Sequence, residues 1–250
     1  MEELQYCEIL GTKINVTNME RTLDYLKSHL DGLRGDYICV SNVHTTVMAY
    51  ENDNYRRIQN GGAMALPDGA PLSVYSRKKG FLDAERVTGP DLMVELLKAS
   101  KREGYRHFFY GATQQTLDAM RKTLEKDYPE ALVAGMYAPP FRPLSPEEDA
   151  AAVSLMNEAK PDFIWVGLGA PKQEQWMYAH KGKLCGVSIG VGAGFDYLAG
   201  DIKRAPKIMQ KLCLEWLYRL LQDPKRLWKR YVTTNIKFIK YIRKEAKSGK

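Results

Sequence analysis

Residues Phe163 to Glu174 read FIWVGLGAPKQE, and their pattern sets the fold class. An apolar run of β-branched and aromatic residues passes through a turn with two glycines into a helical segment, which we expect to begin at Pro171. A buried strand, a turn and a helix form the repeating unit of α/β proteins. Further strand-like runs occur at residues 37–43, 63–66, 107–110, 132–137 and 186–191, with a less regular one at 8–16.

Helix-like segments fill the intervals between these strands. The alternation predicts an α/β fold with a single doubly wound, Rossmann-like mixed sheet and helices on both faces. Two sequences match the capping box that starts helices: Thr17 with Glu20, and Ser145 with Glu148, the latter with Pro146 at the first helical position.

The pattern changes at about residue 203, and we divide the chain there into an α/β domain, residues 1–202, and a helical appendage, residues 203–250. Beyond that point no strand-like run recurs, and two amphipathic helices are separated at Asp223 and Pro224. One side of the first helix carries Met209, Leu212, Cys213, Trp216, Leu217 and Leu220, and the other carries Lys207, Lys211, Glu215 and Arg219. In the second, Trp228, Tyr231, Val232, Phe238, Ile239 and Ile242 oppose Arg226, Lys229, Arg230, Lys237, Lys240 and Lys244.

Composition bounds the class of protein. The chain has 250 residues, of which 44% are apolar, enough to bury a substantial core. It contains no long uncharged apolar run, and its first residues lack the basic start and apolar stretch of a signal peptide, so we expect it to stay in the cytoplasm. The four cysteines are scattered without the paired spacing of metal or redox motifs, which indicates reduced thiols.

Charge is strongly segregated along the chain. Residues 203–250 contain 15 Lys and Arg against three acids, a net of +12, and the total of +7 leaves −5 for everything before them. We therefore expect the appendage, rather than the α/β domain, to attract anions.

The turn from Gly167 to Glu174 is a candidate phosphate site. Glycines let a backbone approach a ligand closely, and the free N–H groups and dipole of a helix start favour anions. A second glycine cluster, at Gly190 to Gly194, follows another strand and would line the same crevice. A tight strand-to-helix turn without a ligand explains the first cluster equally well.

Three other segments carry candidate polar groups. Asp68 directly follows a short apolar run that we expect to be a strand, and a carboxylate at the end of a strand faces the ligand cleft of an α/β protein. Most Asp-Gly pairs, however, are ordinary turns. Arg86 and Thr88 precede a helix that starts with proline and could hold an acidic group, or Arg86 could simply be solvated. Residues 41–46 are rich in polar groups, but His44 alone is more typical of a cap or a surface residue.

In combination, these motifs closely resemble the TagA/WecG/CpsF family of bacterial glycosyltransferases, glycosyltransferase family 26. The resemblance runs from about Ile14 to Arg230. It rests on the segments LPDG (66–69), RVTGPD (86–91), GLGAPKQE (167–174), GVGAGFD (190–196) and GDIKRAP (200–206).

The resemblance implies inverting transfer of a sugar, typically of the N-acetylmannosamine type, from a UDP-sugar to an undecaprenyl-diphosphate-linked acceptor. Such reactions serve teichoic acid, enterobacterial antigen, capsule or exopolysaccharide assembly. By the same match Asp68 would be the general base. The donor would be bound by Ser41, Asn42, Thr45, Arg86, Gly89, Tyr137, Gly167, Gly169, Pro171, Lys172, Gln173, Glu174, Gly192, Phe195 and Asp196.

No Asp-x-Asp motif is present to hold a metal ion. We therefore expect a metal-independent enzyme without a cofactor, in which Arg86, the helix start near Lys172 and an arginine of the appendage stabilise the departing UDP. The chain departs from the family at residues 40–44, VSNVH, where members commonly read Thr-x-Asn-Pro-Glu. Asn42 is kept, and the identity of the sugar is left open.

The basic appendage is expected to dock peripherally on the anionic inner face of the cell membrane and to approach the lipid-linked acceptor. The residues for this role are Arg204, Arg219, Arg226, Lys229 and Arg230. Its apolar stripe could also pack on the α/β domain. Nucleic acid is the less favoured partner, because the domain is acidic and no nucleic-acid module is present. A non-catalytic nucleotide-sugar-binding protein of the same fold is the alternative function, and a homo-oligomer is left open.

Overall fold

The computed structural model of the chain describes residues 4–206, 208–209 and 214–247, without the side chain of Arg226. The strands are β1 Tyr6–Ile9, β2 Thr12–Asn15, β3 Tyr37–Ser41, β4 Met64–Pro67, β5 Arg106–Gly111, β6 Leu132–Tyr137, β7 Phe163–Gly167 and β8 Val187–Gly190. The helices are α1 Met19–Leu33, α2 Val43–Glu51, α3 Asp53–Asn60, α4 Ala70–Lys78, α5 Gly89–Glu103, α6 Gln114–Asp127, α7 Pro146–Glu158, α8 Lys172–Ala179, α9 Gly194–Ala199, α10 Glu215–Gln222 and α11 Pro224–Lys247.

The central sheet has six strands in the order β4-β3-β8-β7-β5-β6. All neighbours in it are parallel. The predicted α/β fold is confirmed. We expected one mixed sheet, but the antiparallel strands lie in a separate sheet, because the extended segment at 8–16 forms its own hairpin, β1-β2. The hairpin is held to the main sheet by Asn15, whose side-chain oxygen accepts a 2.7 Å hydrogen bond from the Ala65 amide.

Alternate residues of each strand supply two separate hydrophobic cores, one on each face of the sheet. In β3, for example, Ile38 and Val40 join one core, whereas Tyr37 and Cys39 join the other. Helices α1, α5, α6 and α9 cover the first face. Helices α2, α4, α7 and α8, the hairpin and α11 cover the second.

The helices after β7 and β8 lie on opposite faces of the sheet, since α8 packs in one core and α9 in the other. The two strands are neighbours, so their following turns diverge and leave a crevice beyond their carboxyl ends. Ligands of open α/β sheets bind at such a point.

Helix starts agree with the sequence at one place and differ at two. The capping box of Ser145 and Glu148 is present, with Pro146 as the first helical residue. The prediction for Thr17 is wrong: its hydroxyl pairs with Thr22 in the interior, and Asn18 caps α1 instead. Helix α8 begins at Lys172 rather than Pro171, which occupies the cap position after a cis Ala170–Pro171 bond.

The two described helices of the appendage meet at Asp223 and Pro224, as predicted. Helix α11 lies against α2, where the rings of Tyr50 and Tyr241 are 4.5 Å apart and Glu51 binds Lys237. The predicted positions Lys207, Lys211, Leu212 and Cys213 lie outside the described residues.

Within the described ranges, no helix combines the length and the apolar character needed to cross a membrane. The thiols of Cys7, Cys39 and Cys185 are free.

Candidate functional site

Asp68 lies at the carboxyl end of the edge strand β4, at the start of a tight turn. Its amide donates to the Ser41 carbonyl at 2.7 Å, and Gly69 follows with φ of 102°, a conformation that favours glycine. The next loop runs alongside, since the Val87 amide donates to the Pro67 carbonyl at 2.9 Å. This arrangement brings Arg86 to the same end of the strand as Asp68.

The carboxyl group of Asp68 has its pKa raised to about 7. Burial is the largest cause, and the negative charge of Glu215 adds to it, whereas Arg86 and Arg219 act in the opposite direction. A carboxyl that titrates near neutral pH can accept a proton from a hydroxyl and still be ionised in a large fraction of molecules. A pKa in this range is compatible with the role of general base that the resemblance implies for Asp68.

Arg86 is bound by an acid of the appendage. Its guanidinium donates to the Glu215 carboxylate of α10 at 2.7 Å, and the two side chains are only 22% and 16% exposed. This contact, together with Arg219 near Asp68, places α10 over the end of β4.

A second ion pair joins the appendage to the start of α5. Arg204 donates to Asp91 at 2.6 Å, and Asp91 also accepts from the Thr88 hydroxyl at 2.6 Å. Burial opposes the ionisation of Asp91, but these hydrogen bonds outweigh it and lower its pKa. Gly89 is buried, and a Cβ there would come within 3.1 Å of Val191, so its small size lets α5 pack against the end of β8.

The two glycines at the end of β7, Gly167 and Gly169, have different surroundings. A Cβ on Gly167 would lie 2.6 Å from the ring of Phe195, which is itself fully buried and stacks edge-on against Phe109. Gly167 and Phe195 thus pack on each other. Gly169, in contrast, has φ of 74° and open space at its Cβ position, and Lys172 is exposed beside it. The open part of the turn can receive a ligand.

The buried side chain of Gln173 is hydrogen-bonded to this turn from the protein interior. Its side-chain oxygen accepts from the Gly169 amide at 3.1 Å, and its amide nitrogen donates to Glu174 at 2.8 Å. A Cβ on Gly192 would lie 3.5 Å from the same side-chain oxygen. Gln173 therefore sits between the turns after β7 and β8, while Asp196 is partly buried on the adjoining helix α9.

The polar residues at the end of β3 and at the start of α2 make most of their hydrogen bonds within the protein. The side-chain oxygen of Asn42 caps α2, and the Thr45 hydroxyl binds the Asn42 backbone in a capping box. The Ser41 hydroxyl is buried and donates to Gln59 at 2.6 Å. His44 has its pKa lowered by burial and by the charge of Arg230, a residue of α11. Ser41 and Thr45 thus stabilise the connection between β3 and α2 through internal hydrogen bonds.

Glu174 is fully buried, whereas Tyr137 is partly exposed at the edge of the sheet. Glu174 is 1% exposed, burial raises the pKa of its carboxyl, and its Oε2 atom has no hydrogen-bond partner. Tyr137, at the end of the other edge strand, stacks on Tyr110 at 6.0 Å and is only partly buried. That Tyr137 binds the donor, as the resemblance implies, stays a prediction.

The cationic residues of the appendage fall into two groups. Arg204 and Arg219 face the domain and lie over the ring of Tyr197 at 5.7 and 5.3 Å. Lys229 and Arg230 are exposed on α11, and the Arg226 side chain is outside the described part. The first group adjoins Asp68 and Asp91, whereas Lys229 is exposed to solvent and Arg230 lies close enough to His44 to lower its pKa.

Glu215 and Tyr197 contact residues of the candidate site, and the sequence did not single them out. Glu215 was expected on the polar side of an amphipathic helix, and the only available signal was that it is one of three acids in a strongly basic segment. Among the described residues, no group of three or more His, Cys, Asp or Glu side chains is arranged to hold a metal ion.

The sequence profile of the WecG/TagA/CpsF family of glycosyl transferases matches residues 7–250. A similar protein from Bacillus subtilis (strain 168) is named N-acetylglucosaminyldiphosphoundecaprenol N-acetyl-beta-D-mannosaminyltransferase. It is 30% identical over 236 residues, which cover 94% of this chain and 90% of the relative. A protein of the same name from Staphylococcus aureus (strain MW2) is 31% identical over 223 residues, 88% of this chain and 86% of that protein. The similarity extends over nearly the whole length of each chain.

Proposed function

Because the chain belongs to the WecG/TagA/CpsF family of glycosyl transferases and is a glycosyltransferase, we propose that it transfers a sugar from a UDP-sugar to an undecaprenyl-diphosphate-linked saccharide, with inversion. The sugar is of the N-acetylmannosamine type named for the relatives, and the product enters cell-wall teichoic acid or a related surface polysaccharide. The observation that carries the proposal is the Asp68 carboxyl, with a pKa raised to about 7, at the crevice end of β4 near Arg86.

In the proposed reaction Asp68 takes the proton of an acceptor hydroxyl. The hydroxyl oxygen then forms a bond to the anomeric carbon of the donor sugar, and the bond from that carbon to the diphosphate oxygen breaks. UDP leaves with the bonding electron pair. Attack on the side opposite to the leaving group inverts the anomeric configuration.

We place the two ends of such a donor at two different strand ends of the crevice. Three strand spacings separate β4 from β7, about 14 Å at ~4.8 Å each. We assign the sugar to the end near Asp68 and the nucleotide to the glycine turns of Gly169 and Gly192. The diphosphate lies between them.

Charge on the departing UDP is stabilised by fixed groups of the protein. Arg86 and Arg219 already act on Asp68 electrostatically, and the amino end of α8 adds its dipole at Lys172. We propose that no metal ion is required. Turnover that is lost with EDTA and restored by a divalent cation would contradict this.

The outward face of α11 is proposed to dock on the membrane. Trp228, Val232, Ile236 and Ile239 recur every three or four residues, and the largest of them, Trp228, is 62% exposed. The opposite side carries Leu227 and Phe238, which are 1% and 8% exposed, and Phe238 packs in the second core of the domain. Helical spacing places four exposed cations beside the apolar face: Lys225, Lys229, Lys240 and Arg243.

The appendage, residues 203–250, therefore has two roles in this proposal: its inner side completes the site, and its outer side reaches the lipid-linked acceptor at the inner face of the cell membrane. Flotation with anionic vesicles tests the second role. Replacing Trp228 and Ile236 by serine is expected to abolish flotation, whereas Leu82→Ser, at a 77% exposed position of the domain, is the matched control. Equal flotation of all three proteins would contradict docking.

Release of UDP from a panel of UDP-sugars, with a short polyprenyl-diphosphate-linked saccharide as acceptor, tests the reaction. Asp68→Asn is expected to lower kcat by roughly 100- to 10,000-fold, the range for loss of a general base. UDP binding should persist, because Asp68 faces the acceptor. If Asp68→Asn transfers at the normal rate, the assigned mechanism is wrong.

A further inference from the structure

A continuous chain of buried polar side chains runs beneath the crevice. It starts at the end of β3, where the Ser41 hydroxyl donates to Gln59 at 2.6 Å. The Gln59 amide nitrogen in turn donates to the Tyr55 hydroxyl at 3.0 Å. These three side chains are between 1% and 3% exposed, so water does not compete for their hydrogen bonds.

The chain continues through Glu174 to the glycine turn. The Tyr55 hydroxyl interacts with the Glu174 carboxyl, which also accepts from Gln173 at 2.8 Å. Gln173 then accepts from the Gly169 amide at 3.1 Å. Glu174 thus accepts a hydrogen bond from its own helix and interacts with Tyr55 of α3, so it links the two parts of the chain.

Packing alone does not account for a carboxyl group in this place. Burial disfavours the charged form of Glu174, and no cation is among the groups that act on its pKa. A buried polar group without full hydrogen bonding is costly, and its Oε2 atom has no partner. An apolar side chain would fill the same volume at lower cost, so the benefit of the carboxyl lies in the geometry that it imposes.

The buried polar chain contacts the ends of three adjacent strands, β3, β8 and β7. Ser41 ends β3, and Gly169 lies in the turn after β7. The strand between them, β8, is contacted through Gln173, since a Cβ on Gly190 would lie 2.9 Å from its side-chain nitrogen. The Gln173 amide therefore supports the ends of β7 and β8 directly, whereas the end of β3 is tied to Gln59.

We propose that Glu174 is a positioning residue of the donor site, which holds the Gln173 amide and the Gly169 turn in the orientation that receives the nucleotide. It acts through Gln173 and does not touch the ligand, contrary to the direct contact expected from the sequence. The effect on donor binding rests on the proposed function, whereas the effect on the turn does not.

Two substitutions probe the chain with little change in volume. Glu174→Gln turns one acceptor into a donor that opposes Gln173 or Tyr55, and Tyr55→Phe removes the hydroxyl next to Glu174. The matched control is Ser100→Ala, which removes a buried hydroxyl bonded to His107 at 2.7 Å near the opposite, amino-terminal end of the sheet.

Two readouts separate positioning from general stability. Amide hydrogen exchange across residues 167–173 is expected to speed up in both variants and to remain unchanged in Ser100→Ala at a matched loss of Tm. KM for the UDP-sugar is expected to rise roughly five-fold, the effect of about one hydrogen bond, with kcat little changed.

The proposal would be overturned if Glu174→Gln and Tyr55→Phe had the same amide exchange at the turn and the same KM as Ser100→Ala at an equal loss of Tm. If Glu174→Gln does not fold, Tyr55→Phe decides by the same readouts. If the unaltered protein neither binds UDP nor turns over, the proposed function fails. The exchange measurement then still decides whether Glu174 positions the turn.

Discussion

The guanidinium of Arg86 donates a 2.7 Å hydrogen bond to the carboxylate of Glu215 and so ties the loop after β4 to helix α10. Arg86 is also a cation proposed to bind the donor diphosphate. Glu215 therefore occupies, within the protein, the position of an anionic ligand. It acts on Asp68 as well, because its charge raises the pKa of that carboxyl.

Replacing Glu215 by glutamine is expected to strengthen donor binding and to lower the pKa of Asp68. Arg86 loses its internal anion, and Asp68 loses a nearby negative charge. KM for the UDP-sugar should fall by up to roughly tenfold, equivalent to ~1.4 kcal/mol, and the acid limb of kcat/KM should move to lower pH. Glu95→Gln, which breaks an exposed pair with Lys98, is the control and should change neither. A weaker donor affinity would show that Glu215 supports the site.

Activity is expected to rise with pH through neutrality. Asp68 must be ionised to accept a proton, and its pKa is raised to about 7 by burial, so the active form increases as pH passes that value. Arg86 lowers this pKa, so Arg86→Gln should shift the limb of kcat/KM upward in addition to weakening donor binding. The full profile of both proteins is the measurement. A limb that stays in place in Arg86→Gln would exclude Asp68 as the titrating group.

The stability of the fold is expected to fall in mild acid because of His107. Its Nδ1 accepts from the Trp165 indole at 3.0 Å, so Nε2 carries the hydrogen and faces Ser100. Burial lowers the pKa of His107 from 6.5 to about 4 in the folded state. Above the pKa of His107 in the unfolded state, both states are neutral there and the free energy of unfolding is not reduced. As pH falls below that value, the unfolded state binds a proton that the folded state does not, so the free energy of unfolding decreases. Between about pH 7.5 and about pH 5 this amounts to ~2 kcal/mol.

Urea unfolding at the two pH values measures this loss, and His107→Gln should have a smaller dependence on pH over the same interval. An unaltered dependence in His107→Gln would assign the acid sensitivity to other groups.

Gly167→Ala is expected to destabilise the protein by about 1–3 kcal/mol, since the new methyl group would overlap the buried ring of Phe195 at 2.6 Å. Thermal unfolding measures the effect. Adding Phe195→Leu should recover part of the loss by providing space, and a double variant no more stable than Gly167→Ala would point to backbone strain instead.

The sequence was sufficient for the six strands of the central sheet and for the end of that sheet at which the crevice lies, because both depend on local patterns. Apolar runs bounded by glycines located β3 to β8 within a few residues. The motif at 167–174 identified the open turn at Gly169. Even so, the same pattern could not distinguish Gly167, which packs on Phe195, from Gly169, which faces open space.

Contacts between distant segments could not be read from periodicity. Thr17 matched a capping box, but its pairing with Thr22 inside the fold gave the cap to Asn18. Glu215 was one acid among many cations, and its contact with Arg86, across 129 residues, exists only in the folded chain. The buried chain from Ser41 to Gly169 likewise joins three segments that carry no common motif.

The position of β8 in the sheet determines when the crevice can exist during folding. This strand joins the pair β4-β3 to the group β7-β5-β6, and its pairing of Tyr37 with Ser188 closes a loop of about 150 residues. Until β8 has emerged from the ribosome and docked, Asp68 and the Gly169 turn belong to two unconnected half-sheets with open edges. Binding competence is therefore one of the last properties that the nascent domain acquires, and a chain shortened before residue 187 lacks the strand that connects the two halves.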